Sequence, residues 1–214
     1  MVIVFIGAPL SGKSFQARKI SDKLGFNYIS VGDLLRTAVK VNKDLAEKIK
    51  SYLDAGDLVP DYIVNNLLRV KLGQVKGENV VIDGYPRTEQ QAWFLERIAP
   101  PDLVFIIDLD NEEVLARAEG RRYCPKCQRV YNLNGFPKPA KDEVCDDCNV
   151  RLEKREDDSI EVVKKRLEIY HATFDDLKEY YNDRCFVLQG ALNPDDLEND
   201  ITDLIFIYCV NKEL

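Results

Sequence analysis

The sequence predicts an α/β fold in which a doubly wound, five-stranded parallel sheet is flanked by helices and carries two small inserted domains. Three observations predict it. Five short apolar segments lack strict polar alternation, as strands covered on both faces do. Helical periodicities lie between them. Two stretches, residues 31–59 and 122–158, break that rhythm with Gly, Pro and charge, and are too long for simple connections.

The first strand, Val2 to Ile6, is short, has no basic region before it and runs straight into Gly7, so it reads as a strand and not as a secretory signal. Asn27 to Ser30 forms the next, followed by helical pieces that break at Gly56 and Pro60. Asn79 to Asp83 and Leu103 to Leu109 supply two more strands. Asp110 and Glu113 have capping-box spacing ahead of the helical residues Val114, Leu115 and Ala118. Ile160, Val163, Leu167, Tyr170, Phe174, Leu177 and Tyr181 recur at alternating steps of three and four, which predicts a helix from Ser159 to about Tyr181, opened by Asp158 with Glu161. Cys185 to Leu188 is the last strand. Ile201 to Val210 is apolar on more than one helical face; a segment fully packed on the sheet and a subunit interface both stay open. The core domain then comprises residues 1–30, 60–121 and 159–214.

With 30 Lys+Arg against 37 Asp+Glu, the net charge of −7 argues against a protein whose main work is gripping a nucleic-acid backbone. The longest apolar run, Leu204 to Val210, has seven residues, far below the roughly 20 that span a bilayer. A soluble, cytoplasmic protein is expected, without membrane or nucleic-acid partner, and its cysteines are expected to be reduced or metal-bound.

Gly7-Ala8-Pro9-Leu10-Ser11-Gly12-Lys13-Ser14 matches G-x-x-x-x-G-K-[ST] between a strand and a helix, the arrangement of a phosphate-binding P-loop. Its backbone N–H groups and the helix end would cradle an anion, Lys13 would reach the β- and γ-phosphates, and Ser14 would approach Mg²⁺. Asp83 closes an apolar strand at the edge where parallel sheets bind ligands, and is expected to hold Mg²⁺ through water. Arg117 and Arg121 share a helix face, and Arg155 and Arg166 flank the next helix start; planar guanidinium groups suit the charge of a transferring phosphoryl group. Against this stands the plainer reading of surface arginines paired with Glu119, Glu156 or Asp157. His171, the single histidine, reads as a helix-surface or packing residue.

Cys124-Pro125-Lys126-Cys127 and Cys145-Asp146-Asp147-Cys148 give two C-x₂-C pairs with 17 residues between, the spacing of a four-thiolate Zn²⁺ site. With no open ligand position the ion would be structural, replacing a core that a short loop-rich insertion lacks. Zinc ribbons also bind nucleic acid, but here Lys126, Arg129, Lys138 and Lys141 alternate with Asp142, Glu143, Asp146 and Asp147, without an aromatic ladder.

The order of the P-loop, Ile29-Ser30-Val31-Gly32-Asp33-Leu34-Leu35-Arg36, Gly56 to Asp61, Asp83-Gly84-Tyr85-Pro86-Arg87-Thr88 with Gln91, Gly120-Arg121-Arg122 and Arg155 to Asp158 resembles adenylate kinase over nearly the whole chain. The cysteine insertion is similar to the LID of the zinc-containing long form, and residues 31–59 to the AMP-binding insertion. The resemblance implies reversible transfer, ATP + AMP = 2 ADP, with Mg²⁺, and a monomer. It places ATP against Gly7, Ala8, Pro9, Leu10, Ser11, Gly12, Lys13, Ser14, Phe15, Arg117, Gly190 and Leu192. AMP falls to Val31, Arg36, Asp57, Leu58, Val59, Gly84, Arg87 and Gln91, while Lys13, Arg87, Arg121, Arg155 and Arg166 surround the reacting phosphoryl group. The chain departs from the family's usual loop at Leu10, where Gly is common, and at Ser14-Phe15, and elsewhere at Val31 and Gln189, positions that bear on base choice. Two alternatives accompany this reading: a nucleoside monophosphate kinase of relaxed donor selectivity, and a P-loop ATPase with a zinc-ribbon nucleic-acid module.

Overall fold

A computed structural model describes residues 1–154 and 158–213. Five parallel strands form the main sheet: β1 (Val2–Gly7), β2 (Asn27–Ser30), β3 (Val80–Asp83), β4 (Leu103–Asp108) and one late in the chain, β7 (Cys185–Gln189). Their order is β2-β3-β1-β4-β7. Each lies within one residue of its sequence-predicted limits. Alternate residues feed opposite faces, as the period of two requires. Val4, Ile6, Ile82, Val104 and Ile106 join the core on one face. Ile3, Phe5, Val81 and Phe105 join the other. The apolar runs therefore carry two interleaved stripes, one for each layer of helices.

Helices α1 (Lys13–Leu24) and α8 (Pro194–Glu213) cover the second face through Ala17, Ile20, Leu197, Ile201 and Ile205. Helix α8 leaves Phe206 and Ile207 more than half exposed, so the carboxy-terminal segment is packed along one side only and is not enclosed. On the other face lie α4 (Asp61–Gln74), α5 (Glu89–Ile98) and α7 (Ile160–Tyr181), with Leu68, Leu95 and Leu177 fully or nearly fully buried. Between β2 and α4, α2 (Val31–Val41) is capped by Ser30 and α3 (Lys43–Ala55) by Asn42. Their Val31, Leu35, Ala38 and Ile49 belong to the same apolar cluster as the sheet face.

Two helix starts differ from the expected capping. Ser159, not Asp158, caps α7, its hydroxyl accepting from the Val162 N–H. Helix α6 (Asn111–Gly120) follows Asp110, whose side chain makes no cap bond although its carbonyl accepts from Val114. The spacing of an acid three residues ahead of Glu marks both starts but does not say which oxygen binds. After α6 a small antiparallel pair, β5 (Arg121–Tyr123) and β6 (Val130–Asn132), introduces the cysteine-bearing segment. This pair was not expected, since three-residue strands of Arg, Tyr and Asn carry no apolar pattern.

Candidate functional site

Strand β1 delivers the chain into the phosphate loop at Gly7. Its φ is 139°, and a Cβ there would stand 2.1 Å from the Ile107 carbonyl oxygen, so only glycine fits. Gly12, φ 91°, starts α1 with no side-chain cap and no acid in the first turn, which leaves the helix's leading N–H groups open toward an anion. Between them Leu10 holds φ 58°, a left-handed conformation that a bulky residue adopts at a cost of about 1–2 kcal/mol. What holds it there is packing: Leu10 lies against the cluster of Ala8, Leu109, Val114, Ala118, Val163 and Leu167, while its carbonyl accepts from Arg117 at 3.3 Å.

Lys13 donates to the Ala8 carbonyl at 3.1 Å, curling the loop around its own ammonium group. Burial lowers its pKa to about 8, opposed by Asp83 and reinforced by the positive charges of Arg87, Arg121 and Arg166. Those four groups reach Lys13 from β3, from the turn after it, from β5 and from α7; Arg121 stands at the start of β5, beyond the end of α6, and not on one helix face with Arg117 as their spacing suggested. Arg121 bonds Asp158 at 3.2 Å, and Arg166 stands 4.0 Å from the same oxygen. The Asp158 side chain is fully covered, and its second oxygen has no hydrogen-bond partner among the described residues. Asp158 thus holds the two arginines side by side, a role hidden behind its apparent capping position. Arg155 lies outside the described residues.

At the opposite end of the cleft, Arg36 donates to Asp33 at 2.6 Å and its buried Nε has no hydrogen-bond partner among the described residues. Gly32 makes room for that guanidinium; a Cβ there would approach it to 3.2 Å. Arg87 donates to the Gly84 carbonyl at 3.1 Å, across a turn in which Gly84 has φ 76°. Asp57, Leu58, Gly84, Arg36 and Arg87 line one cleft of about 1090 Å³ with the phosphate loop. Val31, Val59 and Gln91 stand behind its wall. The two valines are 4% exposed and belong to the core. Gln91 accepts from the Arg87 N–H at 2.8 Å and donates to Asp61 at 2.6 Å, so its amide braces the wall. Ala8, fully buried, also contributes only backbone.

On the donor side, Arg117 stitches three pieces together: Glu113 at 3.0 Å, the Leu10 carbonyl, and the Gly190 carbonyl at 3.0 Å. Gly190 in turn donates to the Asp108 carbonyl at 2.7 Å, and a Cβ there would lie 2.6 Å from the Ser11 oxygen. Leu192 and the loop from Asn134 to Phe136 complete this wall. Phe136 meets Phe15 edge to face, ring centroids 5.4 Å apart, a contact with no sequence signal. His171 bonds Asn111 at 2.8 Å on the surface, tying α7 to the start of α6.

Two places could hold metal. Ser14 lines the cleft, and Asp83 is buried with Oδ1 lacking a hydrogen-bond partner among the described residues, an oxygen that could face a cation's hydration shell. The sulfurs of Cys124, Cys127, Cys145 and Cys148 all lie within 4.8 Å of one another. Two matching turns build that set. The N–H of Gln128 donates to the Cys124 carbonyl and that of Asn149 to the Cys145 carbonyl, and both residues are left-handed at φ 64° and 52°. Four free thiols so gathered fit a tetrahedral ion such as Zn²⁺.

A family model described as adenylate kinase matches residues 5–186. The adenylate kinase of Petrotoga mobilis is 36% identical over 212 residues, covering 96% of this chain and 97% of that protein. That of Caldicellulosiruptor saccharolyticus is 41% identical over 197 residues, 89% of this chain and 91% of its own. The Rickettsia prowazekii adenylate kinase is 35% identical over 213 residues, 97% of this chain and its entire length.

Proposed function

This chain belongs to the adenylate kinase family, and from that premise we propose how its own residues carry out the reversible transfer ATP + AMP = 2 ADP. The observation that carries the assignment is the convergence of Asp83, Arg87, Arg121 and Arg166 on Lys13 in one cleft that also reaches Arg36. ATP binds with its phosphates on the open N-terminus of α1 and in the curl of Gly7 to Ser14, its base between Arg117 and the Gly190–Leu192 turn. AMP presents its phosphate to Arg87 and to Arg36, whose buried Nε has no hydrogen-bond partner among the described residues.

The acceptor phosphate is ionised at neutral pH, so no general base is required. Catalysis is then alignment of two anions and stabilisation of charge that spreads over the transferring group. Lys13, Arg121 and Arg166 supply that charge, and Asp158 holds the last two in register. Ser14 and the Asp83 carboxylate would hold Mg²⁺ through its water, and the ion would supply charge neutralisation of the phosphate oxygens. The cysteine-bearing segment, with Zn²⁺ as a structural ion in its four thiolates, acts as the lid that excludes water. The chain functions as a monomer in the cytoplasm; among the described residues no helix is long and apolar enough to cross a membrane.

A coupled assay of ADP formed from ATP, with and without AMP, tests the reading. Two ADP should appear per ATP, and only with AMP present. Hydrolysis indifferent to AMP but stimulated by DNA or RNA would restore the ATPase alternative, which the family match does not favour.

A further inference from the structure

Tyr28 makes a contact on the cleft floor that phosphoryl transfer as described does not use. In the β2–β3 ladder Ser30 is the partner of Asp83, so Tyr28, two residues earlier on the same face, is a diagonal neighbour within reach of a long side chain. Its hydroxyl donates to Asp83 Oδ2 at 2.8 Å. The other oxygen, Oδ1, is buried and has no hydrogen-bond partner among the described residues. From α1, the Arg18 guanidinium sits 4.5 Å from the Tyr28 ring centroid and fixes the ring against the strand. Tyr28, Arg18 and Asp83 all line the same cleft.

A carboxylate turns about its last bond with little preference, and its two oxygens are equivalent until something distinguishes them. Here the phenol does so, taking one and leaving the other. We propose that Tyr28 is a positioning residue for the metal–nucleotide complex: by holding Oδ2 it sets the plane of the Asp83 carboxylate and reserves Oδ1 for the hydration shell of Mg²⁺. Groups that orient a metal-directed carboxylate commonly change metal affinity by about 10–100-fold when removed. This rests on the reading of Asp83 as the acid that faces Mg²⁺.

Tyr28→Phe deletes one hydroxyl and keeps the ring under Arg18. The Mg²⁺ concentration for half-maximal activity should rise about tenfold, with KM for AMP unchanged and kcat at saturating Mg²⁺ within about twofold of wild type. Electron paramagnetic resonance of Mn²⁺ titrated into protein plus ADP gives a readout independent of turnover, and Tyr28→Phe should retain Mn²⁺ about tenfold more weakly. Arg18→Leu, which frees the ring but keeps the hydroxyl, should show a smaller shift in the same direction. An unchanged Mg²⁺ and Mn²⁺ dependence in Tyr28→Phe, alongside a lost one in Asp83→Asn, would overturn the role of Tyr28 and leave that of Asp83 standing. If Asp83→Asn also leaves metal dependence unchanged, the assignment of Asp83 itself fails, and that of Tyr28 with it.

Discussion

The phosphate loop and the cysteine-bearing segment face each other across one cleft, and they are made rigid by different means. Beneath the loop, Ile3, Val4, Phe5, Phe105 and Ile107 are fully buried, each large apolar side chain contributing about 1.5–3 kcal/mol relative to exposure. Around the cysteines the buried set is Cys124, Tyr131, Cys145 and Leu152. Beside the backbone turns and the β5–β6 pair, the ion pairs there include exposed ones such as Arg129 with Asp147 at 2.7 Å. Apolar burial over-determines the first region, so it can hold a left-handed Leu10 and a glycine jammed against a carbonyl. The second has only that small apolar set, beside four gathered sulfurs that fit an ion. The segment proposed as a lid would have to move while the phosphate loop stays fixed, and the two kinds of support match those needs.

The sharpest way to break this contrast is Gly7→Ala. The new Cβ would collide with backbone in the central strand pair, and loss of roughly 4 kcal/mol or more is expected in urea melts followed by circular dichroism. A loss under about 1 kcal/mol would mean that the region yields more easily than its packing indicates. Metal removal with a chelator, or Cys145→Ser, should act next most strongly but locally. Calorimetry should show an early transition confined to the cysteine-bearing segment, the main transition little changed, and activity down about tenfold or more. A single transition moving as a whole would show that the segment is not separable from the sheet.

Leu10→Ala keeps the unfavourable φ while losing the packing on Val114 and Val163, and should cost about 2 kcal/mol and raise KM for ATP more than KM for AMP. Leu10→Gly relieves the strain as it removes the contact, so its stability should lie above that of the alanine variant in the same melts. At the small end, Arg129→Ala should change stability by under about 1 kcal/mol, since exposed ion pairs contribute little.

The pH dependence separates the regions too. Lys13 has a pKa lowered from 10.5 to about 8, so the fold disfavours its charge, and this penalty fades as pH rises from about 8 toward 10.5. Polyphosphate reverses the preference. Nucleotide binding should take up a fraction of a proton near pH 8 and almost none near pH 6.5, as read from calorimetric heats in buffers of different ionisation enthalpy; Lys13→Met should abolish the uptake.

The strands were legible because each is a run of apolar residues serving two faces, and the phosphate loop because glycine and lysine stand at fixed steps between strand and helix. The cysteine pairs announced their site through spacing alone. Asp158 was misread since a capping acid and an ion-pair acid look identical three residues before Glu161. Tyr28 and Asp83 lie 55 residues apart, and no local pattern reports a bond across that distance. The resemblance gives Val31, Val59 and Gln91 to AMP, but their burial is not legible in a motif, which names a neighbourhood and not which atoms face inward.

The edge contact of Phe15 with Phe136 has an optical consequence. Phe136 is carried by the segment proposed to move, Phe15 by the rigid helix α1, so closure changes the surroundings of one ring relative to the other. The chain's single tryptophan, Trp93, sits on α5 outside the cleft and half exposed, where nucleotides should leave its emission steady. A second indole placed by Phe136→Trp would therefore report opening and closing in real time against a constant internal reference.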